Sequence, residues 1–185
     1  MLKSLEIAGF KSFAKKTELG FKSRITSIVG PNGSGKSNVA ESFRFALGEQ
    51  SIKSMRGKRG EDLIWNGTSD VSRANRASVK IVLDNSTGLF SKSEIIKDGF
   101  DEISIERVVG RDGVNEYFLN GSKVRLKDIF ELLSLAHIGS SGHHIISQGE
   151  ADRILTARTD ERREMIEDAL GLKLYQYKRN ESLKK

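Results

Sequence analysis

GPNGSGKSN, residues 30–38, decides how the rest of this chain is read. Its spacing is G-x-x-x-x-G-K-S, with Gly30 opening the loop and Gly35, Lys36 and Ser37 closing it, which is the pattern of a phosphate-binding P-loop. Glycines let the backbone N–H groups of Gly30, Asn32, Gly33, Ser34 and Gly35 turn inward around an anion, with Pro31 fixing the turn between them, and a following helix adds its unpaired N-terminal donors. Lys36 is placed to reach the β and γ phosphates of ATP, and Ser37 to ligate Mg²⁺ through its hydroxyl. Asn38 is expected to contribute its backbone N–H rather than its side chain. Both flanks suit the motif: Ile25, Ile28 and Val29 make an apolar run before it, and Val39, Phe43, Ala46 and Leu47 follow at helical spacing. Strand, loop and helix come in the required order.

Composition sets the outer limits. The chain has 185 residues, 30% of them charged and 37% apolar, so it suits one domain plus a segment that is not globular. It has no cysteine, which excludes a disulfide framework and any thiolate metal site. No run is long and apolar enough for a membrane span or a signal peptide, and a cytoplasmic protein with no membrane partner is expected. The formal charge of +6 permits a polyanionic partner without requiring one.

Alternation predicts strands over residues 2–10 and 13–21 feeding the P-loop strand, and further strands over 79–84, 103–109 and 115–119. Asp112-Gly113 and Asn120-Gly121 read as type I′ hairpin turns, giving an antiparallel meander. Leu126, Ile129, Phe130, Leu132 and Leu133 mark a short helix, and Ile145-Ile146 a buried strand. From Thr159 the texture becomes a charged helix with Ile166, Leu170, Leu174 and Tyr177 on one side. Gly171 and Lys173 interrupt the pattern, but no C-capping glycine or proline precedes Lys185, so about 27 residues should form about 40 Å of projecting helix, commonly the start of a coiled coil, with an ordinary surface helix as the alternative.

Several stretches in order resemble one family: LKSLEIAGFKSF (2–13), GPNGSGKSNV (30–39), FALGEQSIKSMRGKRGEDLIWNG (45–67), RLKDIFELL (125–133) and IISQGEADRIL (145–155). Together they are similar to the N-terminal half of an SMC (structural maintenance of chromosomes) ATPase head of the bacterial chromosome-organising type. The resemblance implies an α/β fold of the ABC-type P-loop ATPase head: a mixed sheet around the P-loop helix, an antiparallel sheet beside it, and a protruding coiled-coil helix. Residues 1–155 would be the lobe and 156–185 the start of the arm. It implies ATP and Mg²⁺ as cofactors. The implied partners are the C-terminal half of the same head, a second head in a homodimer, a kleisin subunit and double-stranded DNA in the nucleoid.

Residue by residue, Gln148 stands where the family has a glutamine that joins Ser37 on Mg²⁺ and senses the γ-phosphate. Arg56 matches an arginine that contacts nucleotide phosphates. Lys11 and Ser12 fall in a turn that approaches them, and Arg59, Arg125 and Lys127 match positions that meet DNA when heads engage. The last three sit in two basic groups, Lys53, Arg56, Lys58 and Arg59 in one and Lys123, Arg125 and Lys127 in the other, without interleaved aromatics. Such groups suit phosphate contact rather than base stacking.

An ATPase also needs a carboxylate at the metal and a residue that positions water. VKIVLDN, residues 79–85, ends in Asp84, but Lys80 interrupts the run and Asn85 takes the place of a glutamate, so an edge strand entering a turn is the better reading. GSSGHH, residues 139–144, has the wrong order for an ABC signature loop. His137, His143 and His144 lack company at ligand spacing. The chain therefore reads as half an active site. An ABC-type DNA-break repair ATPase and a small P-loop nucleotide kinase are the alternatives; the missing Asp-Glu strand and the unfinished helix weigh against the kinase.

Overall fold

Period-two alternation of apolar and polar residues builds a six-stranded antiparallel sheet of order β2-β1-β3-β4-β5-β6. The strands are β1 (Leu2–Ala8), β2 (Thr17–Gly20), β3 (Arg76–Asp84), β4 (Glu102–Gly110), β5 (Asn115–Leu119) and β6 (Ser122–Val124). The computed structural model describes residues 1–93, 95, 96, 99–136, 138 and 156–169. Gln148, the expected strand at Ile145-Ile146, the three histidines' counterparts at 137, 143 and 144, and the helix beyond Ala169 lie outside the described residues.

One face of the sheet is apolar. Leu5, Ile7, Ala77, Val79, Ile81, Ile103, Ile105, Tyr117 and Leu119 are buried on it, and α1 (Lys36–Ala46) and α2 (Leu126–Leu135) supply the opposing layer with Val39, Phe45, Ile129, Leu132 and Leu133. The other face carries Glu6 opposite Lys80 and Lys80 opposite Glu106, an alternating-charge row across three strands. A third helix, α3 (Thr159–Ala169), begins as expected at Thr159. Its Ile166 is 60% exposed, as a residue of an unpacked seam would be.

Three expectations are corrected. The strand placed at 13–21 is only Thr17–Gly20, because the chain reverses first: Gly9 has φ 62 and Lys11 φ 47, and the Phe13 N–H closes a turn on the Phe10 carbonyl at 2.8 Å. Asp112-Gly113 is not a type I′ turn. Only Gly113 has positive φ there, and its N–H bonds Gly110, the geometry of a turn followed by a bulge; Asn120 (φ 47) and Gly121 (φ 79) do form the type I′ pair. Finally, β3 is an interior strand, between β1 and β4, rather than an edge. Lys80 interrupts its apolar run because it points to the polar face. Asp84 does end in a turn, where its carboxylate accepts the Ser86 N–H at 3.2 Å.

The mixed sheet around the P-loop is not formed among the described residues. Residues 25–29 make no strand, and Ile25 and Val29 are 88% and 85% exposed. A central parallel strand is defined by its neighbours on both sides, and none of the described strands pairs with this one.

Two contacts fix α1 against the sheet. Gly48, at φ 97, ends the helix with its N–H on the Phe45 carbonyl, and a Cβ there would lie 2.6 Å from the Phe130 ring, so α2 packs directly on the turn. Arg107 reaches from β4 and donates to the carbonyls of Phe45 (3.1 Å) and Glu49 (2.7 Å) and to Asn115 Oδ1 (3.0 Å). Its guanidinium lies 4.3 Å from the Phe45 ring centroid. Burial pulls its pKa down from the usual arginine value. Replacing it by leucine breaks three hydrogen bonds, two of them to backbone carbonyls at the end of α1, so Arg107→Leu is expected to lower stability by about 3 kcal/mol in urea unfolding, whereas an Arg76→Leu control on the exposed strand end should change it little.

Candidate nucleotide site

The loop between residues 29 and 36 is shaped by two left-handed glycines, Gly33 (φ 83) and Gly35 (φ 91). Gly35 is also the N-cap of α1, and a Cβ on it would sit 2.8 Å from Ser12 Oγ. Here the backbone conformation and the close neighbour both require glycine. The N–H groups of Gly33, Gly35, Lys36 and Ser37 have no acceptor among the described residues. Lys36 Nζ bridges the loop, donating to the carbonyls of Gly30 and Pro31 at 2.7 Å each. Unpaired donors at a helix N-terminus, an ammonium across the loop and an exposed Ser37 hydroxyl form a donor set that fits a Mg²⁺-polyphosphate.

Beside the loop, the structure brings together Lys11, Ser12, Asn38 and Arg56. Asn38 differs from expectation. Its N–H is taken by the Gly35 carbonyl at 2.9 Å, as third-position helix donors near a cap often are, and it is the side chain that bridges, donating to Ser12 Oγ at 2.8 Å and accepting from Arg56 NH2 at 3.2 Å. The Lys11 ammonium is committed to the Glu41 carboxylate and the Met55 carbonyl. Arg56 donates through Nε to the other oxygen of Glu41. Sequence reading missed Glu41, since a glutamate on a charged helix reads as solvated; its only signal was its spacing, three residues after Asn38 on the same face.

The basic residues assigned to DNA lie elsewhere. Arg59 is exposed at the head of the 3₁₀ turn Gly60–Leu63, where Asp62 accepts the backbone N–H groups of Arg59 and Lys58, and these hold its carboxyl below the usual range. Arg125 caps α2 and pairs with Asp128 at 3.0 Å, which lowers the Asp128 pKa. Lys127 is exposed in the next turn, and Lys123 pairs with Glu116. Among the described residues no cluster of histidine, aspartate and glutamate suited to a resident metal is present, and no helix is long and apolar enough to cross a membrane.

Residues 1–157 match the family model described as the RecF/RecN/SMC N terminal domain. The chain belongs to that family. It is 46% identical over 184 residues to the chromosome partition protein Smc of Desulfitobacterium hafniense, covering 100% of this chain and 15% of that protein. It is 44% identical to the Smc of Mycobacterium tuberculosis at the same coverage. Thus the chain spans about 15% of the length of the curated relatives it matches.

Among solved structures, the fold matches a Pyrococcus furiosus Smc head domain with an extended coiled coil bound to the C-terminal domain of ScpA. That match has a TM-score of 0.82 and 36% identity, covering 99% of this chain and 45% of that one. A chain from a study of ATP-driven dimerization and DNA-stimulated activation of SMC ATPases matches with a TM-score of 0.80 and 36% identity, covering 90% of this chain and 98% of that one. The fold is that of the ABC-type SMC ATPase head, and the nucleotide-kinase alternative falls.

Alanine at Gly35 meets both a left-handed φ and the Ser12 hydroxyl. Strain of about 1–3 kcal/mol placed in the loop should lower affinity for a fluorescent ATP analogue about tenfold or more, with the melting temperature of the full-length protein shifted by only a few degrees. Parental affinity would show that the loop adopts another conformation around phosphate.

Proposed function

We propose that this chain is the ATP-binding N-terminal half of an SMC head, with residues 1–155 as the lobe and 156–185 as the start of the coiled-coil arm. The head would be completed by the C-terminal half of the same polypeptide and would engage a second, identical head. In the assembled protein, ATP binding and hydrolysis drive that engagement and organise double-stranded DNA for chromosome condensation and segregation, with a kleisin subunit joining the heads. A cytoplasmic, nucleoid-associated location follows from that role.

The observation that carries this reading is the set of unpaired donors at the start of α1, spanned by Lys36 and flanked by the Ser37 hydroxyl. ATP with Mg²⁺ supplies the phosphoanhydride and the charge-neutralising ion. On binding, Lys36 would exchange its loop carbonyls for phosphate oxygens, Gly33, Gly35 and Ser37 would donate through their backbone, Ser37 and Gln148 would hold the metal, and Arg56 would reach a phosphate from the side. Ser12, packed against Gly35, steadies the loop.

The exposed apolar run at residues 25–29 supports the incompleteness of this half. Ile25, Ile28 and Val29 face solvent, and strands from the C-terminal half would cover them. The available carboxylate near the loop, Glu41, is shared by Lys11 and Arg56 and is no free base. Arg59 and Lys127 are the stronger DNA contacts, because Asp128 offsets much of the Arg125 charge.

In the full-length protein, Lys36→Ala should abolish Mg-ATP binding in calorimetry while the fold is kept, since the loop faces solvent; unchanged affinity would sink the nucleotide assignment. Residues 1–185 alone should show no ATP turnover above background, and robust turnover lost on Lys36→Ala would mean that the site is complete within them.

DNA contact has a separate signature. Each neutralised phosphate steepens the fall of log K with log salt by about 0.9. Changing Arg59, Arg125 and Lys127 together to glutamate should weaken duplex binding by nucleotide-engaged dimers regardless of sequence, flatten the salt slope and reduce DNA stimulation, with basal ATP binding kept. A parental affinity and slope would leave these side chains as a solvated basic surface.

A further inference from the structure

Glu41 lies one turn beyond Ser37 on α1 and is the meeting point of three segments distant in sequence. Lys11, from the turn after β1, donates to Oε2, and Arg56, from the turn that follows Ile52, donates through Nε to Oε1. Both cations hold left-handed backbones, with φ 47 at Lys11 and φ 54 at Arg56. Such conformations are unfavourable for residues with a Cβ and persist where surrounding contacts over-determine them. Two of them converging on one carboxylate mark a built arrangement rather than a chance surface pair.

The three side chains are not equivalent. Glu41 and Lys11 are 9% and 11% exposed, while Arg56 is 58% exposed. Lys11 is thus the enclosed partner of the Glu41 carboxylate. Arg56 stands at the rim. Its Nε and NH2 are held by Glu41 and by Asn38 in the first turn of α1, at 3.2 Å for the latter. That uses one edge of the planar guanidinium and leaves the NH1 side, which has no hydrogen-bond partner among the described residues, for an anion.

We propose that Glu41 is a positioning residue of the ATPase: anchored by Lys11, it holds the Arg56 guanidinium so that its free edge meets a nucleotide phosphate at the start of α1. The proposal rests on the reading that the P-loop binds ATP and that Arg56 reaches it. A rotatable arginine on a strained turn would sample many orientations, and the shared carboxylate removes that freedom before the nucleotide arrives. Glu41 touches neither substrate nor metal. It acts through Arg56.

The test is a mutant cycle in the full-length protein, reading kcat and KM for ATP with DNA present. Glu41→Gln keeps the shape and an acceptor but removes the charge. Its kcat should fall at least fivefold, to within about twofold of Arg56→Ala, with KM nearly unchanged, and the double variant should be no slower than Arg56→Ala alone. Multiplicative losses in the double variant would overturn the proposal, because a merely structural tie acts whether or not Arg56 is present. Faster turnover or tighter ATP binding in Glu41→Gln would also overturn it, making the carboxylate a restraint on Arg56. So would a parental rate in Arg56→Ala. If Glu41→Gln does not fold, Lys11→Met with Glu41→Gln removes both enclosed charges and is compared with Lys11→Met alone, the same fivefold loss being expected. Failure of the underlying nucleotide reading is seen separately, as ATP binding that survives Lys36→Ala.

Discussion

The first turn of α1 has donors left unpaired among the described residues, and the other end of the helix is held by a buried guanidinium. Arg107 closes the C-terminal carbonyls of α1 from inside the sheet and stacks over Phe45, within 5.0 Å of the Tyr117 ring as well. A buried cation at the negative end of a helix is electrostatically favourable, which offsets part of its desolvation. Because Arg107 belongs to β4, an interior strand, the position of the phosphate loop is set by the antiparallel sheet. Gln50 extends the same clasp by donating to the Tyr117 hydroxyl at 2.9 Å. The stretch FALGEQ is thus a structural joint between helix and sheet.

What could be read from the sequence were features with a short-range physical code. The P-loop, the α1 and α2 periodicities, the β3–β4–β5 meander and the Asn120-Gly121 turn all depend on residues within a few positions of each other. What escaped were long-range dependencies. Arg107 follows Ile103 and Ile105 in alternation, so the pattern did place it inward, but nothing local says which carbonyls it closes. Glu41 reads as a solvated glutamate because its burial depends on Lys11 and Arg56, and the left-handed positions they occupy are not glycines that would announce them. Residues 25–29 erred in the opposite sense: an apolar run has the composition of a buried strand whether or not its neighbours are present.

Charge counting was a similarly partial guide to the surface. Of the cations grouped near residue 125, Arg125 and Lys123 each face a carboxylate, Asp128 and Glu116. Exposed pairs of this kind add little stability, yet they reduce the field that a polyanion would meet. A count of cations cannot distinguish a paired arginine from a free one. The helix register can, since Asp128 falls one turn after Arg125.

The exposed run at residues 25–29 also bears on how such a protein is made. The curated relatives are several times longer than this chain, which spans about 15% of them, and at about 5–20 residues per second a protein of that length takes minutes to synthesise. Until something covers it, an apolar run exposed as Ile25, Ile28 and Val29 are is open to association with other chains. The residues around them are suited to the wait: Lys22 and Arg24 precede the run, and Gly30 and Pro31, the chain's one proline, follow it. Flanking charges and a proline hinder strand-to-strand association between nascent chains. The proline of the phosphate loop thus also marks the edge of an exposed apolar run, where it is an obstacle to strand pairing.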